Sequence, residues 1–188
     1  RLINDDDRSW FQKRMSQILK SEFSVNKEDL LPTGQWMVFG GFLSDNPDEQ
    51  AYEKISDLEH TSKIVSEHLE EHNRENPKNP MPLVMFSFAI SHLARIHRII
   101  NLPFGHALLI GVGGSGRQSL TRLAAFISGY ELYTIELTRS FGKAEWRESM
   151  KKLLRQAGLE GKPTVFILTD SQIKEESFLE DNNNILNT

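Results

Sequence analysis

Residues Gly111-Val-Gly-Gly-Ser-Gly-Arg-Gln-Ser119 carry the most readable chemistry in the chain. Gly111 and Gly116 stand at the spacing of G-x-x-x-x-G-K-[ST]. In such a loop, backbone N–H groups converge on phosphate oxygens and the dipole of the following helix adds to the attraction. Arg117 occupies the lysine slot and Gln118 the hydroxyl slot. Backbone capture of phosphate needs no lysine, so Gly111, Val112, Gly113, Gly114, Ser115, Gly116, Arg117, Gln118 and Ser119 are the candidate phosphate contacts. Arginine keeps the charge on a wider planar fork that can clamp phosphate oxygens in pairs. Gln118 replaces the hydroxyl that would ligate Mg²⁺. Ser119 does not stand in for it, because one residue further is about 100° around the helix. Binding should survive these substitutions better than hydrolysis.

A hydrolytic site of this kind ends an apolar strand with two carboxylates, one for the metal and one to activate water. Here the run is Ile167-Leu-Thr-Asp-Ser171, and Asp170 is the single candidate catalytic residue. Two placements stay open. Asp170 stands at the metal position with Ser171 replacing the base, or Thr169 and Asp170 fill the two places. A second motif, His68-Leu-Glu-Glu-His72, matches the zinc pattern H-x-x-E-H. A third ligand would have to come from a distant helix, and the flanking residues read as a solvated helical face. No residue is therefore assigned to a metal. His92 and His97 read as ordinary interfacial histidines, and His106 has no identifiable partner.

These residues need elements to hold them. His106-Ala-Leu-Leu-Ile-Gly-Val112 reads as a buried strand running into the loop, followed by a helix with Leu120, Leu123, Ala124 and Ile127 that ends at Gly129. Leu132 to Leu137 alternates as a second strand. Trp146, Met150, Leu153, Leu154 and Ala157 mark a helix closed by Gly158. Pro163 to Asp170 reads as a third strand, and Phe178, Leu179, Ile185 and Leu186 as a last helix. Strand alternating with helix predicts a parallel, doubly wound sheet.

Upstream the chain reads as helical. Residues 4–20 start at Asn4 or an early Asp, with Asp5, Asp6 and Asp7 at the positive end of the dipole. Their stripe of Trp10, Phe11, Met15, Ile18 and Leu19 is expected to pack in a core. Leu30 to Gly34 and Trp36 to Leu43, broken by paired glycines, receive no assignment. Asn46-Pro47 reads as a cap opening a polar helix with Tyr52, Ile55, Leu58, Val65 and Leu69 on one side. The prolines between Asn76 and Pro82 force an extended connector, the clearest internal boundary. Residues 83–100 then resume helix, with Phe86, Ile90, Leu93, Ile96, Ile99 and Ile100 facing a core.

Whole-chain properties narrow the classes. A chain of 188 residues that is 38% hydrophobic and 26% charged has a globular composition. Net charge of −4 without a Lys/Arg cluster argues against general affinity for nucleic acid. Cysteine is absent, which excludes disulfides and cysteine zinc sites. No apolar run approaches membrane-spanning length. The chain begins at Arg1 without a leader and reads as an internal piece of a longer, non-secreted polypeptide.

Gly105 to Ala124 strongly resembles the fourth AAA+ module of axonemal dynein heavy chains, as do Gly161 to Asp181, Phe141-Gly-Lys-Ala-Glu-Trp-Arg147 and Met81-Pro-Leu-Val-Met-Phe86. Arg1 to Phe11 looks like the tail of the third module's small subdomain. The resemblance implies a P-loop AAA+ parallel sheet with flanking helices, carrying strands 1–3 only of the order 5-1-4-3-2 and preceded by a helical segment. It divides the chain into 1–45, the end of the preceding module's small subdomain; 46–82, a helix and Pro-rich connector; and 83–188, the N-terminal part of the P-loop domain. It further implies ATP or ADP as ligand, with Leu83 and Val84 near the adenine. Asp170 falls on the second acidic position and Thr169 on the first, which weakens the case for Mg²⁺. The parent would be a microtubule-based ciliary motor in the axoneme, its main hydrolytic site in another module. Expected partners are the other modules of the same heavy chain, intermediate and light chains, and microtubules, with neither nucleic acid nor membrane.

Two other functions compete. A free-standing P-loop phosphotransferase would need a substrate lid and its own acid–base pair, and neither is identifiable. A vestigial loop in an interaction segment would bind nothing. A piece whose central strands lack their partner ladder is expected to be only marginally stable.

Overall fold

The computed structural model describes residues 3–30, 37–44 and 51–187 of the chain. Two units are separately compact, Arg1–Val38 and Phe39–Thr188. In the first, helix α1 (Asp5–Phe23) starts where its chemistry dictates. The Asn4 side chain accepts the Asp7 N–H at 2.8 Å, and three aspartates fill the first turn. The helix ends at Ser24, which takes a left-handed φ of 55°. A single turn, α2 (Lys27–Leu30), follows. The apolar stripe of α1 does not form a core: Trp10 is 66% exposed and no residue of the helix is buried. A stripe needs an opposing face, and among the described residues this unit offers only the four-residue α2.

The second unit opens with a two-stranded antiparallel ribbon of β1 (Phe39–Gly40) and β2 (Glu53–Lys54). The expected helix after Asn46-Pro47 begins much later. The Asn46-Pro47 cap and residues 31–36 lie outside the described residues, and Tyr52 and Ile55 flank a strand rather than sitting on a helix. Helix α3 (Leu58–Glu75) is started by Asp57, whose carboxylate accepts from the N–H groups of Glu59 and His60. That carboxylate satisfies two donors that a helix end otherwise leaves open. Residues 76–86 are non-helical, as their prolines require.

Helix α4 (Ser87–Ile100) is the centre of the unit and starts later than residue 83, so Phe86 is an exposed N-cap residue rather than a core one. Ala89, Ile90, Leu93, Ala94 and Ile96 are buried along it, and it packs against α3, β1 and α5 (Arg117–Ile127). Burying one such branched side chain contributes about 1.5–3 kcal/mol. Gly105 closes the turn after α4, where a Cβ would collide with the Ile99 carbonyl.

Beyond α5, β3 (Glu131–Thr134) and β4 (Thr164–Ile167) pair in parallel, Glu131 opposite Thr164 through Thr134 opposite Ile167. They are connected by α6 (Lys143–Leu154) and a π turn at Arg155–Leu159, and followed by α7 (Glu176–Leu186). Gly158 lies inside that π turn and Leu154 faces solvent. Trp146 stacks on Phe178 with ring centroids 4.5 Å apart and donates from Nε1 to Asp181 at 2.8 Å. Ile135, Met150 and Leu153 complete this buried cluster.

The segment 107–112 departs from its expectation. It is neither strand nor buried; Ile110 is 85% exposed. Strand conformation is held by a neighbour's ladder, and the order 5-1-4-3-2 implied by the resemblance puts one strand between this segment and β4. No described segment pairs with it. Among the described residues no helix is long and apolar enough to cross a membrane.

Candidate functional site

At Gly116 the loop becomes helix. Its φ of 75° and ψ of 4° are left-handed, a region glycine enters without a Cβ penalty. Gly114 does the same at φ 76°. The chain folds back between them, with Ser115 N–H donating to the Val112 carbonyl at 3.4 Å. A Cβ built on Gly113, Gly114 or Gly116 meets nothing within 4 Å, so the glycine face of the loop is open. Gly116 brings no side chain to cap α5. First-turn N–H groups have no intrahelical acceptor, and the dipole makes that end of the helix positive. The result is an exposed glycine loop leading into an uncapped helix start.

Arg117 is half-buried and folds back under this loop. Its Nη1 donates to the Leu109 carbonyl at 3.3 Å and its Nη2 to the Val112 carbonyl at 3.0 Å. Gln118 is exposed and Ser119 half-buried in the first turn. Helix α5 rests on α4 and β3 and leads into β3 through a short turn at Gly129. The loop is therefore carried on the best-packed part of the unit.

Leu83 and Val84 lie on the connector before α4. Asn73 of α3 holds that connector twice, accepting from Met81 N–H at 2.7 Å and donating to the Met81 carbonyl at 3.2 Å. Ser62 adds a bond to the Met85 carbonyl at 3.2 Å. Leu83 is half-buried and Val84 exposed. Helix α3 also packs on α5, which ties the connector to the loop-bearing helix.

Asp170 begins one 3-10 turn, Asp170–Gln172, just past β4. Its side chain is exposed, while the hydroxyls of Thr169 and Ser171 pair at 3.0 Å. The edge thus presents one carboxylate beside a hydroxyl pair. Gln172 is buried at this turn. Its Oε1 accepts the Thr169 N–H at 2.7 Å and its Nε2 donates to the Ile135 carbonyl at 2.6 Å. That glutamine fastens the end of β4 to the chain leaving β3. Sequence reading passed over it, although Thr169-x-x-Gln172 has the spacing of a capping box. Asn73 was passed over as well; an asparagine facing a Pro-rich connector carries no comparable signal.

The histidines are occupied elsewhere. His68 Nδ1 is 3.9 Å from Glu71, and the His72 ring meets Phe126 edge-on at 5.2 Å. Among the described residues no three His, Asp or Glu side chains group as a metal site would need. His97 is buried edge-on against Phe42, and burial, with His68 nearby, lowers its pKa from 6.5 to about 4.

The comparisons with known proteins agree in one direction. Residues 81–188 match the family described as "P-loop containing dynein motor region D4". The chain is 44% identical over 188 residues to Dynein axonemal heavy chain 1 of Mus musculus, covering all of this chain and 4% of that protein. It is 42% identical over 199 residues to Dynein axonemal heavy chain 3 of the same organism, again over the whole chain and 5% of the relative. It is also 42% identical over 188 residues to "Dynein-1-beta heavy chain, flagellar inner arm I1 complex" of Chlamydomonas reinhardtii, covering 99% of this chain and 4% of that protein. The chain thus spans about one twentieth of the length of these relatives.

Proposed function

This chain belongs to the P-loop containing dynein motor region D4 family, of the axonemal heavy-chain kind, and on that premise we propose that it is a nucleotide-holding module that rarely hydrolyses what it holds. Its fold, on this reading, is the AAA+ parallel sheet of which β3 and β4 are neighbouring strands. The observation that carries the proposal is the exposed glycine loop Gly113–Gly116, whose Gly114 and Gly116 are left-handed and which leads into the uncapped start of α5. The backbone from Gly111 to Ser119 seats the phosphates of ATP or ADP, and Leu83 and Val84 supply apolar surface for the base.

The residues suit Mg²⁺ and water activation less well. Gln118 offers an exposed amide where a short hydroxyl would be needed, and the Thr169 hydroxyl is engaged by Ser171. Asp170 alone provides charge at that edge. Holding without turnover follows, because the run Ile167–Ser171 carries one carboxylate where metal binding and water activation need two. In the parent chain such a module would regulate or brace a microtubule-based motor of the ciliary or flagellar axoneme. The other modules, intermediate and light chains and microtubules would be its partners.

Gly116→Val tests the binding half. Valine is strained at a positive φ and brings bulk to the open face, so ATP and ADP binding measured by calorimetry should be lost. Retained affinity refutes the cradle. For the hydrolysis half, Arg117→Lys with Gln118→Thr should raise turnover at this site; a wild-type site already as fast as the double variant refutes the idea.

A further inference from the structure

Met81 stands between Pro80 and Pro82, so its N–H is the one backbone donor in that run. Asn73 takes both backbone groups of Met81. Its Oδ1 accepts the N–H at 2.7 Å and its Nδ2 donates to the carbonyl at 3.2 Å. The same carbonyl accepts the Leu83 N–H at 3.0 Å, which closes a γ-turn at Pro82. Further along, Ser62 Oγ donates to the Met85 carbonyl at 3.2 Å. Leu83 and Val84 are therefore held from α3 on both sides. His72, beside Asn73, has its Nδ1 3.4 Å from Asn73 Oδ1 and its ring edge-on to Phe126 of α5 at 5.2 Å. The last turns of α3 thus touch both the connector and the helix that follows the glycine loop.

We propose that Asn73 is a positioning residue for the base: it fixes Leu83 and Val84 before a nucleotide arrives, so that the site prefers a nucleotide to bare pyrophosphate. This rests on the nucleotide reading above. The glycine loop meets phosphates alone and cannot tell ADP from inorganic pyrophosphate. That distinction falls to whatever meets the base. A loose connector would have to be ordered at the moment of binding, and fixing one residue's backbone is worth roughly tenfold in an equilibrium constant. Asn73 makes that ordering part of folding, and the base meets a surface already formed. The buried Met81 side chain anchors the residue but leaves its peptide planes free to turn, and the two amide bonds remove that freedom. A planar amide offers one acceptor and one donor side by side, a pairing that alanine lacks altogether.

The test is hydrogen exchange on the complete polypeptide carrying this module, read on peptides covering residues 81–85 and 111–119. The probes are ADP and inorganic pyrophosphate, each titrated. In wild type ADP should protect both peptides, and pyrophosphate the loop alone. Asn73→Ala should raise the ADP midpoint about tenfold and leave the pyrophosphate midpoint unchanged. Ser62→Ala, which loosens the other side, should raise the ADP midpoint severalfold with the same indifference to pyrophosphate. Peptides over β3 and α6 report intact folding; where Asn73→Ala disturbs them, Ser62→Ala decides. An unmoved ADP midpoint in the deciding variant overturns the positioning role. Equal weakening of both ligands overturns it too, because a merely structural loss would do that. ADP protecting the loop but never residues 81–85, or pyrophosphate protecting nothing where ADP does, overturns the division between loop and connector while leaving nucleotide binding intact. Protection by neither ligand overturns the nucleotide reading itself, and the role of Asn73 with it.

Discussion

Replacing Gln172 by leucine tests how the acidic edge is held. The side chain bridges two backbone groups, accepting from Thr169 N–H at 2.7 Å and donating to the Ile135 carbonyl at 2.6 Å, and the residue is 8% exposed. Leucine fills similar space but satisfies neither group. A buried donor or acceptor left unpaired costs about 1–3 kcal/mol, so the two together should cost about 2–6 kcal/mol. Urea unfolding followed by tryptophan fluorescence measures it, Trp146 being buried in the same unit. Gln172→Glu separates hydrogen bonding from packing. Glutamate keeps the acceptor for Thr169 but sets a carboxylate against the Ile135 carbonyl oxygen. Burial beside that oxygen raises the carboxyl pKa in the folded state, so the loss relative to wild type should shrink as pH falls and the acid becomes a donor. The leucine loss should not vary with pH. A leucine cost under about 0.5 kcal/mol, the range of an ordinary surface substitution, refutes the reasoning, as does a glutamate variant indistinguishable from wild type at neutral pH.

The buried His97 makes stability fall in acid. Its pKa drops from 6.5 to about 4 on folding, so the unfolded chain takes up a proton that the folded chain refuses; stability declines as pH falls through that window. The full loss is on the order of 3 kcal/mol. Urea midpoints from pH 7 to 4 should show it, and His97→Phe should remove that part of the slope. Asn73→Ala should cost about 1–2 kcal/mol by freeing both Met81 backbone groups. It should also speed hydrogen exchange over residues 81–85, with unchanged exchange there as the contrary result.

What could be read from sequence was whatever the chain decides locally. Asn4 with three aspartates starts α1 because the cap and the dipole need only neighbours in sequence. Gly116 and Gly129 bound α5 because left-handed backbone falls to glycine. β3 and β4 were legible as strands from apolar runs bounded by turns, whereas their standing side by side was implied only by the strand order of the resemblance. The errors lie where a residue's state depends on a partner. Trp10 and Phe11 carry a core-type stripe, yet a stripe is buried only if a face meets it. Residues 107–112 are as apolar as any strand, yet a strand exists only through its ladder. Helix α3 starts at Asp57, which the sequence reading did not single out, because its carboxylate reaches two N–H groups. Arg117 belongs to the same class. Its type and position announce a phosphate ligand, whereas its Nη1 and Nη2 each donate to a backbone carbonyl of the preceding segment, a partner that no sequence pattern signals.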